Sequence, residues 1–96
     1  MRIRLLLSAL ALSSIASCSA MGSNHAVVKG AGPDDLLKLR AGPGLGFNII
    51  MGLPDGTRLT KQKCVTESGQ LWCRVSLADN PGVSGYVSAD YLGMGM

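Results

Sequence analysis

The sequence predicts an all-β fold, a small barrel of about five short strands with a C-terminal 3-10 turn. From Asp34 onward, the apolar residues show no helical periodicity of useful length. Instead, short β-prone runs alternate with Gly, Pro and Asn turn signals. Five such runs within about sixty residues are typical of a small closed barrel, because closure removes exposed sheet edges.

The predicted elements follow one another at short intervals. The five strands are LLKLR (36–40), FNIIMGL (47–53), TRLTKQKCVT (57–66), LWCRVSL (71–77) and VSGYVS (83–88). GPGLG (42–46) is predicted as a loop, PDG (54–56) and ADNPG (78–82) as turns, and ADYL (89–92) as one helical or 3-10 turn.

The N-terminal residues 1–17 have the layout of a secretory signal peptide. MRIR is a basic start, LLLSALAL (5–12) is an apolar middle, and SSIAS (13–17) is small and polar. The alternative is an N-terminal helix that stays in the membrane. This is disfavoured because serines interrupt the run, which falls short of the ~20 apolar residues that span a bilayer.

The motif IASC, residues 15–18, resembles the lipobox of bacterial lipoproteins. The resemblance implies that the Cys18 sulfur is acylated and that Cys18 becomes the first residue of the mature chain, attached to a membrane. The alternative is ordinary signal cleavage after Ala20, which would discard Cys18. Either route predicts export to the periplasm, and Ser19 in place of aspartate favours the outer membrane in a Gram-negative organism.

Residues 18–33 are predicted to form a flexible tether and residues 34–96 the folded domain. The tether is rich in glycine and small polar residues, and its lone His25 is expected to be solvated. The chain has nine Lys and Arg against six Asp and Glu. Without Arg2 and Arg4 of the signal, seven basic against six acidic residues leave a net charge of +1, so we expect no nucleic-acid partner.

The domain resembles the bacterial SH3-like (SH3b) domain. LKLRAGPGLGFNIIMGLPDGTRL and LWCRV followed by GVSGYVSADYL carry the resemblance over residues 36–92, in matching order and spacing. The resemblance implies an SH3-like barrel. The matching positions are Leu39, Arg40, Gly42, Pro43, Gly52, Leu53, Gly56, Trp72, Val75, Gly85, Tyr86, Val87, Tyr91 and Leu92.

Cys64 and Cys73 face each other if Ser68 and Gly69 form a two-residue hairpin turn, because counting outward pairs them directly. That position is a non-hydrogen-bonded pair, where Cα atoms lie ~4.5 Å apart. An oxidising compartment then favours a structural disulfide. The alternative is two buried free thiols. No CxxC redox motif or set of zinc ligands is present.

The alternation of side chains along these paired strands also predicts which residues point away from the interior. Leu71, Cys73, Val75 and Leu77 share the inner face, whereas Trp72 and Arg74 point outward. We expect an exposed Trp72 with Tyr86 and Tyr91 along one groove. Phe47 either lines that groove or belongs to the core. The alternative is that these four aromatic residues only pack the barrel.

The predicted function is binding without catalysis. The single His has no nucleophile partner, and neither a cofactor nor a metal is expected. The resemblance implies a lipid-anchored, monomeric envelope protein that contacts cell-wall peptide or an envelope protein. Trp72, Tyr86 and Tyr91 would stack on the ligand, and Arg40 or Arg74 would bind a carboxylate. The alternative is a structural or regulatory accessory that recruits or modulates an envelope enzyme.

Overall fold

The computed structural model describes residues 24–94, and the predicted signal peptide and Cys18 lie outside them. This part of the chain contains strands and one short 3-10 helix, Ala89–Tyr91. No helix within it is long and apolar enough to cross a bilayer. The strands are β1 (His25–Val28), β2 (Leu37–Arg40), β3 (Ile49–Leu53), β4 (Arg58–Glu67), β5 (Gln70–Leu77), β6 (Asn80–Ser88) and β7 (Leu92–Met94).

The all-β SH3-like fold is confirmed, with seven strands instead of five. They form one antiparallel sheet in the order β3-β2-β6-β5-β4-β1-β7. The sheet curls into a half-barrel, so the expected closure is not complete. β3 and β7 each have one strand neighbour and form its two edges.

The tether prediction is wrong for the residues that form β1. Ala26 and Val28 are buried, and the strand pairs with both β4 and β7. Further hydrogen bonds join Val28 to the turn before β4, with Val28 N–H donating to Thr57 O and Gly56 N–H to Val28 O. A short alternating run therefore completes the sheet because its two apolar side chains reach the core.

The core lies on the concave side of the sheet. Its fully buried aliphatic side chains come from six strands, β1 to β6: Val28, Leu39, Leu53, Leu59, Val75 and Val87. The inner face predicted for β5 holds for Cys73 and Val75, but Leu71 is 45% exposed. Leu71 is the second residue after the Ser68-Gly69 turn and lies near the outer end of the hairpin.

The β4–β5 hairpin has the predicted register. Glu67 pairs with Gln70, and Cys64 pairs with Cys73. Ser68 and Gly69 have φ values of 52° and 79°, the left-handed pair that a type I′ turn requires. A disulfide joins Cys64 to Cys73, whose Cα atoms are 3.9 Å apart. The predicted disulfide is therefore present, and it links the two strands on the core side of the hairpin.

Two further contacts shape the surroundings of the candidate site, one between loops and one between strands. The Asp55 carboxylate accepts hydrogen bonds from Ala31 N–H at 2.9 Å and Gly32 N–H at 3.1 Å, which attach the β1–β2 loop to the β3–β4 turn. Gly85 lets β2 and β6 approach closely, because a Cβ there would lie 2.6 Å from Arg40 O. The first contact connects two loops, and the second lets two neighbouring strands pack closely.

Candidate functional site

Trp72 is the central side chain of the site, and the prediction that it is exposed is wrong. Only 5% of its surface is accessible, although its neighbour Cys73 already occupies the core side of β5. The indole forms a wall together with Leu45 of the β2–β3 loop and Tyr91 of the 3-10 helix. The alternation of side chains along β5 correctly places Trp72 on the face opposite Cys73. It does not indicate that a loop and a 3-10 turn lie against that face.

Two cavities meet at this wall, which consists of Leu45, Trp72, Ser88 and Tyr91. The first, here called the Lys38 cavity, has a volume of about 240 Å³ and also contacts Asp35, Leu36, Lys38 and Arg40. The second, the Glu67 cavity, has a volume of about 620 Å³ and also contacts Phe47, Glu67, Gln70 and Asp90. Together they form a groove with an apolar middle and a charged group at each end.

Arg40 positions the loop that carries one side of the groove. Its Nη1 donates hydrogen bonds to Leu45 O at 3.1 Å and Phe47 O at 3.2 Å. Phe47 in turn packs on Gly42, where a Cβ would lie 2.4 Å from the ring. Arg40 therefore stabilises the loop and also lines the Lys38 cavity. Its predicted role in carboxylate binding stays a prediction.

Tyr86 and Arg74 lie apart from the groove, so the expectation of a single groove with three aromatic residues is wrong for Tyr86. Neither residue lines the two cavities. Tyr86 pairs with Arg40 on β2 and Arg74 on β5, and the Arg74 guanidinium carbon is 6.0 Å from the Tyr86 ring centroid. Arg74 Nε donates to Gln62 Oε1, and its Nη2 donates to Ser84 Oγ. These contacts order Arg74 over the sheet surface.

Ser88 joins the elements on the β6 side of the groove, and sequence reasoning did not identify it. Its Oγ accepts hydrogen bonds from Gln70 Nε2 at 2.8 Å and Asp90 N–H at 3.3 Å. It also pairs with Trp72 across β5 and β6 and caps the 3-10 helix. The available signal was a Ser directly before the predicted turn ADYL, a common capping position.

The two ends of the groove differ in charge. In the Lys38 cavity, Lys38 Nζ is 3.5 Å from Asp35 Oδ1. The Leu36 N–H, which donates to Asp35 Oδ1, and then the Lys38 ammonium lower the pKa of the Asp35 carboxyl below its ordinary value of 3.8. The Glu67 cavity contains Glu67 and Asp90, and no basic side chain lines it. Within residues 24–94, no cluster of three or more potential metal ligands is found.

Comparison with known proteins identifies one family. Residues 35–93 match the family model described as bacterial SH3 domain, which covers more than half of the chain. No curated protein and no solved structure matches the sequence. The matched region contains β2 to β6, the 3-10 helix and every residue of the wall between the two cavities. The chain therefore belongs to the bacterial SH3 domain family.

Proposed function

We propose that the protein is an exported, non-catalytic binding module whose groove holds an extended segment of cell-wall peptide. The groove itself carries this proposal. Trp72 and Tyr91 provide an apolar wall between two cavities, and polar groups at both ends would orient a peptide. Membership of a family of binding-type domains supports it, but the fold alone does not identify a ligand.

The groove is testable with the chain's own fluorophore. Trp72 is the single tryptophan of the chain, so its emission reports directly on the groove. The full chain in detergent is titrated with a panel of muropeptides. We expect a saturable change in Trp72 emission. If the folded protein shows no change in Trp72 emission with any muropeptide, the proposal of cell-wall peptide binding is contradicted.

Two groove variants and a matched control locate the response. Tyr91→Ala and Leu45→Ala each remove an exposed apolar side chain from the wall, so both are expected to weaken binding about five- to tenfold. Leu71→Ala removes a similarly exposed apolar side chain outside both cavities and should bind as the wild type does. Equal loss in all three variants would refute the proposed groove.

The membrane attachment belongs to the same proposal. The IASC motif supports acylation at Cys18, which would hold the domain at a membrane surface through several acyl chains. Mass spectrometry of the mature N-terminus separates the two processing routes. A lipidated Cys18 supports the anchor. An unmodified mature chain that starts at Met21 would show that the protein is released.

A second candidate function is that of an accessory that docks on an envelope enzyme through the β3 edge. β3 has one strand neighbour, and Ile49 is 52% exposed. No charged residue occurs from position 41 to 54, although charges usually protect such edges. This edge therefore suits an extended apolar strand of another protein.

The docking alternative has its own test. Ile49→Lys places a charge at the β3 edge and should abolish recovery of a stoichiometric partner in a pull-down, whereas Leu71→Lys should not. Recovery of the same partner by both variants would exclude docking at β3.

A further inference from the structure

The Glu67 cavity carries negative charge without a compensating cation. Glu67 and Asp90 are both exposed, and no lysine or arginine lines the cavity. The ion pairs found within residues 24–94 join other residues, so neither carboxylate has a partner in this part of the chain. A positively charged ligand group would therefore enter without displacing a protein cation.

The two carboxylates come from different elements that are connected to each other. Glu67 pairs with Gln70 at the end of the β4–β5 hairpin. The Gln70 amide donates to Ser88 Oγ, which also accepts from the Asp90 N–H. This connection fixes the hairpin end and the 3-10 helix relative to one another. Both carboxylates therefore line one cavity whose two contributing elements are joined through Ser88.

The aromatic residues of the Glu67 cavity, here called its aromatic wall, are a second and independent indication of a cation site. Phe47, Trp72 and Tyr91 all line the same cavity, and the face of an aromatic ring attracts cations. Trp72 is 5% exposed, yet its indole N–H takes part in none of the side-chain hydrogen bonds found among residues 24–94. A buried indole N–H usually has an acceptor, which a peptide carbonyl would supply.

We propose that the Glu67 cavity is a subsite for the primary ammonium group of a side chain in a bound peptide. The ammonium lies between Glu67 and Asp90 and against the aromatic wall, and a neighbouring peptide carbonyl accepts from the Trp72 indole. This inference rests on the proposed peptide-binding function and specifies its ligand class. We expect no such preference for an ammonium group in the Lys38 cavity, because its cation and its carboxylate are already paired with each other.

The experiment compares two synthetic tripeptides, Ala-Lys-Ala and Ala-norleucine-Ala, with both termini blocked so that the lysine carries the only amine. Trp72 emission of the full chain in detergent gives the dissociation constants. We expect the lysine peptide to bind about tenfold more tightly, because partly exposed ion pairs and cation–π contacts are each worth about 0.5–1 kcal/mol. Salt should reduce the difference.

Charge-neutral variants show whether the preference arises in this cavity. The double variant Glu67→Gln, Asp90→Asn removes the ion pairs but keeps the aromatic rings, so it should reduce the preference for the lysine peptide to about threefold. Asp34→Asn neutralises an exposed carboxylate that lines neither cavity of the groove, and it should keep the full preference. A preference that stays at its full size in the double variant, or that is reduced in Asp34→Asn, would overturn the subsite.

The remaining outcomes separate the subsite from the proposed function. Equal binding of the two peptides to the wild type overturns the ammonium subsite and leaves peptide binding intact. Binding of muropeptides without binding of either tripeptide also overturns the subsite, because an amine in a peptide would not be sufficient. Failure of both muropeptides and tripeptides overturns the subsite and the proposed function together.

Discussion

Reduction of the Cys64–Cys73 disulfide should lower the stability of the domain without abolishing its fold. The bond joins residues that are nine positions apart in one hairpin. The hairpin also has a favourable turn and a complete strand register around that turn, so its conformation does not depend on the disulfide alone. The reduced protein should therefore keep its sheet and lose only the constraint on the unfolded chain.

The size of the effect follows from the length of the closed loop. For a loop of about ten residues, the chain-entropy relation gives about 2.7 kcal/mol at 25 °C. A domain of this size loses about 4–8 °C in Tm for each kcal/mol. We therefore expect reduction to lower the Tm by about 10–20 °C, a large share of the stability of a small domain.

The assay is thermal unfolding followed by circular dichroism, with and without a thiol reductant. The double variant Cys64→Ala, Cys73→Ala is the control, because its Tm should not respond to the reductant whatever the state of Cys18. Far-UV spectra at low temperature should agree between the oxidised and reduced wild type. An unchanged Tm on verified reduction would refute the loop-entropy reasoning, and loss of the β-sheet spectrum would refute the claim that the fold survives.

Three further outcomes are expected from single contacts. Gly85→Ala should destabilise the domain by about 1–3 kcal/mol in urea unfolding, because the added Cβ would meet a β2 carbonyl. Gly46→Ala is the control. Its added Cβ has open space around it, so the free energy of unfolding should hardly change. Ser88→Ala should cost about 1–2 kcal/mol by the same assay, because Gln70 Nε2 and Asp90 N–H lose their acceptor. Carboxyl NMR should place the pKa of Asp35 below 3.8, and Lys38→Met should raise it only in part, because the Leu36 N–H remains. A lowered folded-state pKa stabilises the protein above the unfolded value, and this contribution is lost as the pH falls through the folded value.

The local sequence rules for turns and strands were sufficient to predict the β4–β5 hairpin. The Ser68-Gly69 turn and the two-residue side-chain period determine every pair out to the cysteines, and the structure has this register. β1 was missed because HAVV is only four residues long and lies among glycine and small polar residues. Its stability comes from pairing with two distant strands, which is tertiary information that a short run does not carry.

The groove was only partly predictable, for a related reason. The alternation of side chains correctly separates Trp72 from the core face of β5. Leu45 and Tyr91, which line the groove with Trp72, belong to a loop and a 3-10 turn. The positions of such irregular segments depend on individual polar contacts. The Arg40 guanidinium holds the loop through two carbonyl oxygens, and Ser88 connects the turn to the hairpin. No periodic pattern contains these contacts.

The disulfide and the groove are connected through the same strand pair. Cys73 lies on the core side of β5 and pairs with Cys64 on β4, and the adjacent Trp72 forms part of the groove wall. Glu67 lies at the end of that hairpin, three positions beyond Cys64. Loosening the hairpin therefore acts on the fold and on the Glu67 cavity together. Substitution of exposed wall residues such as Leu45 acts on binding alone, because they contribute little to the core. A variant series measured for both Tm and peptide affinity should separate into these two groups.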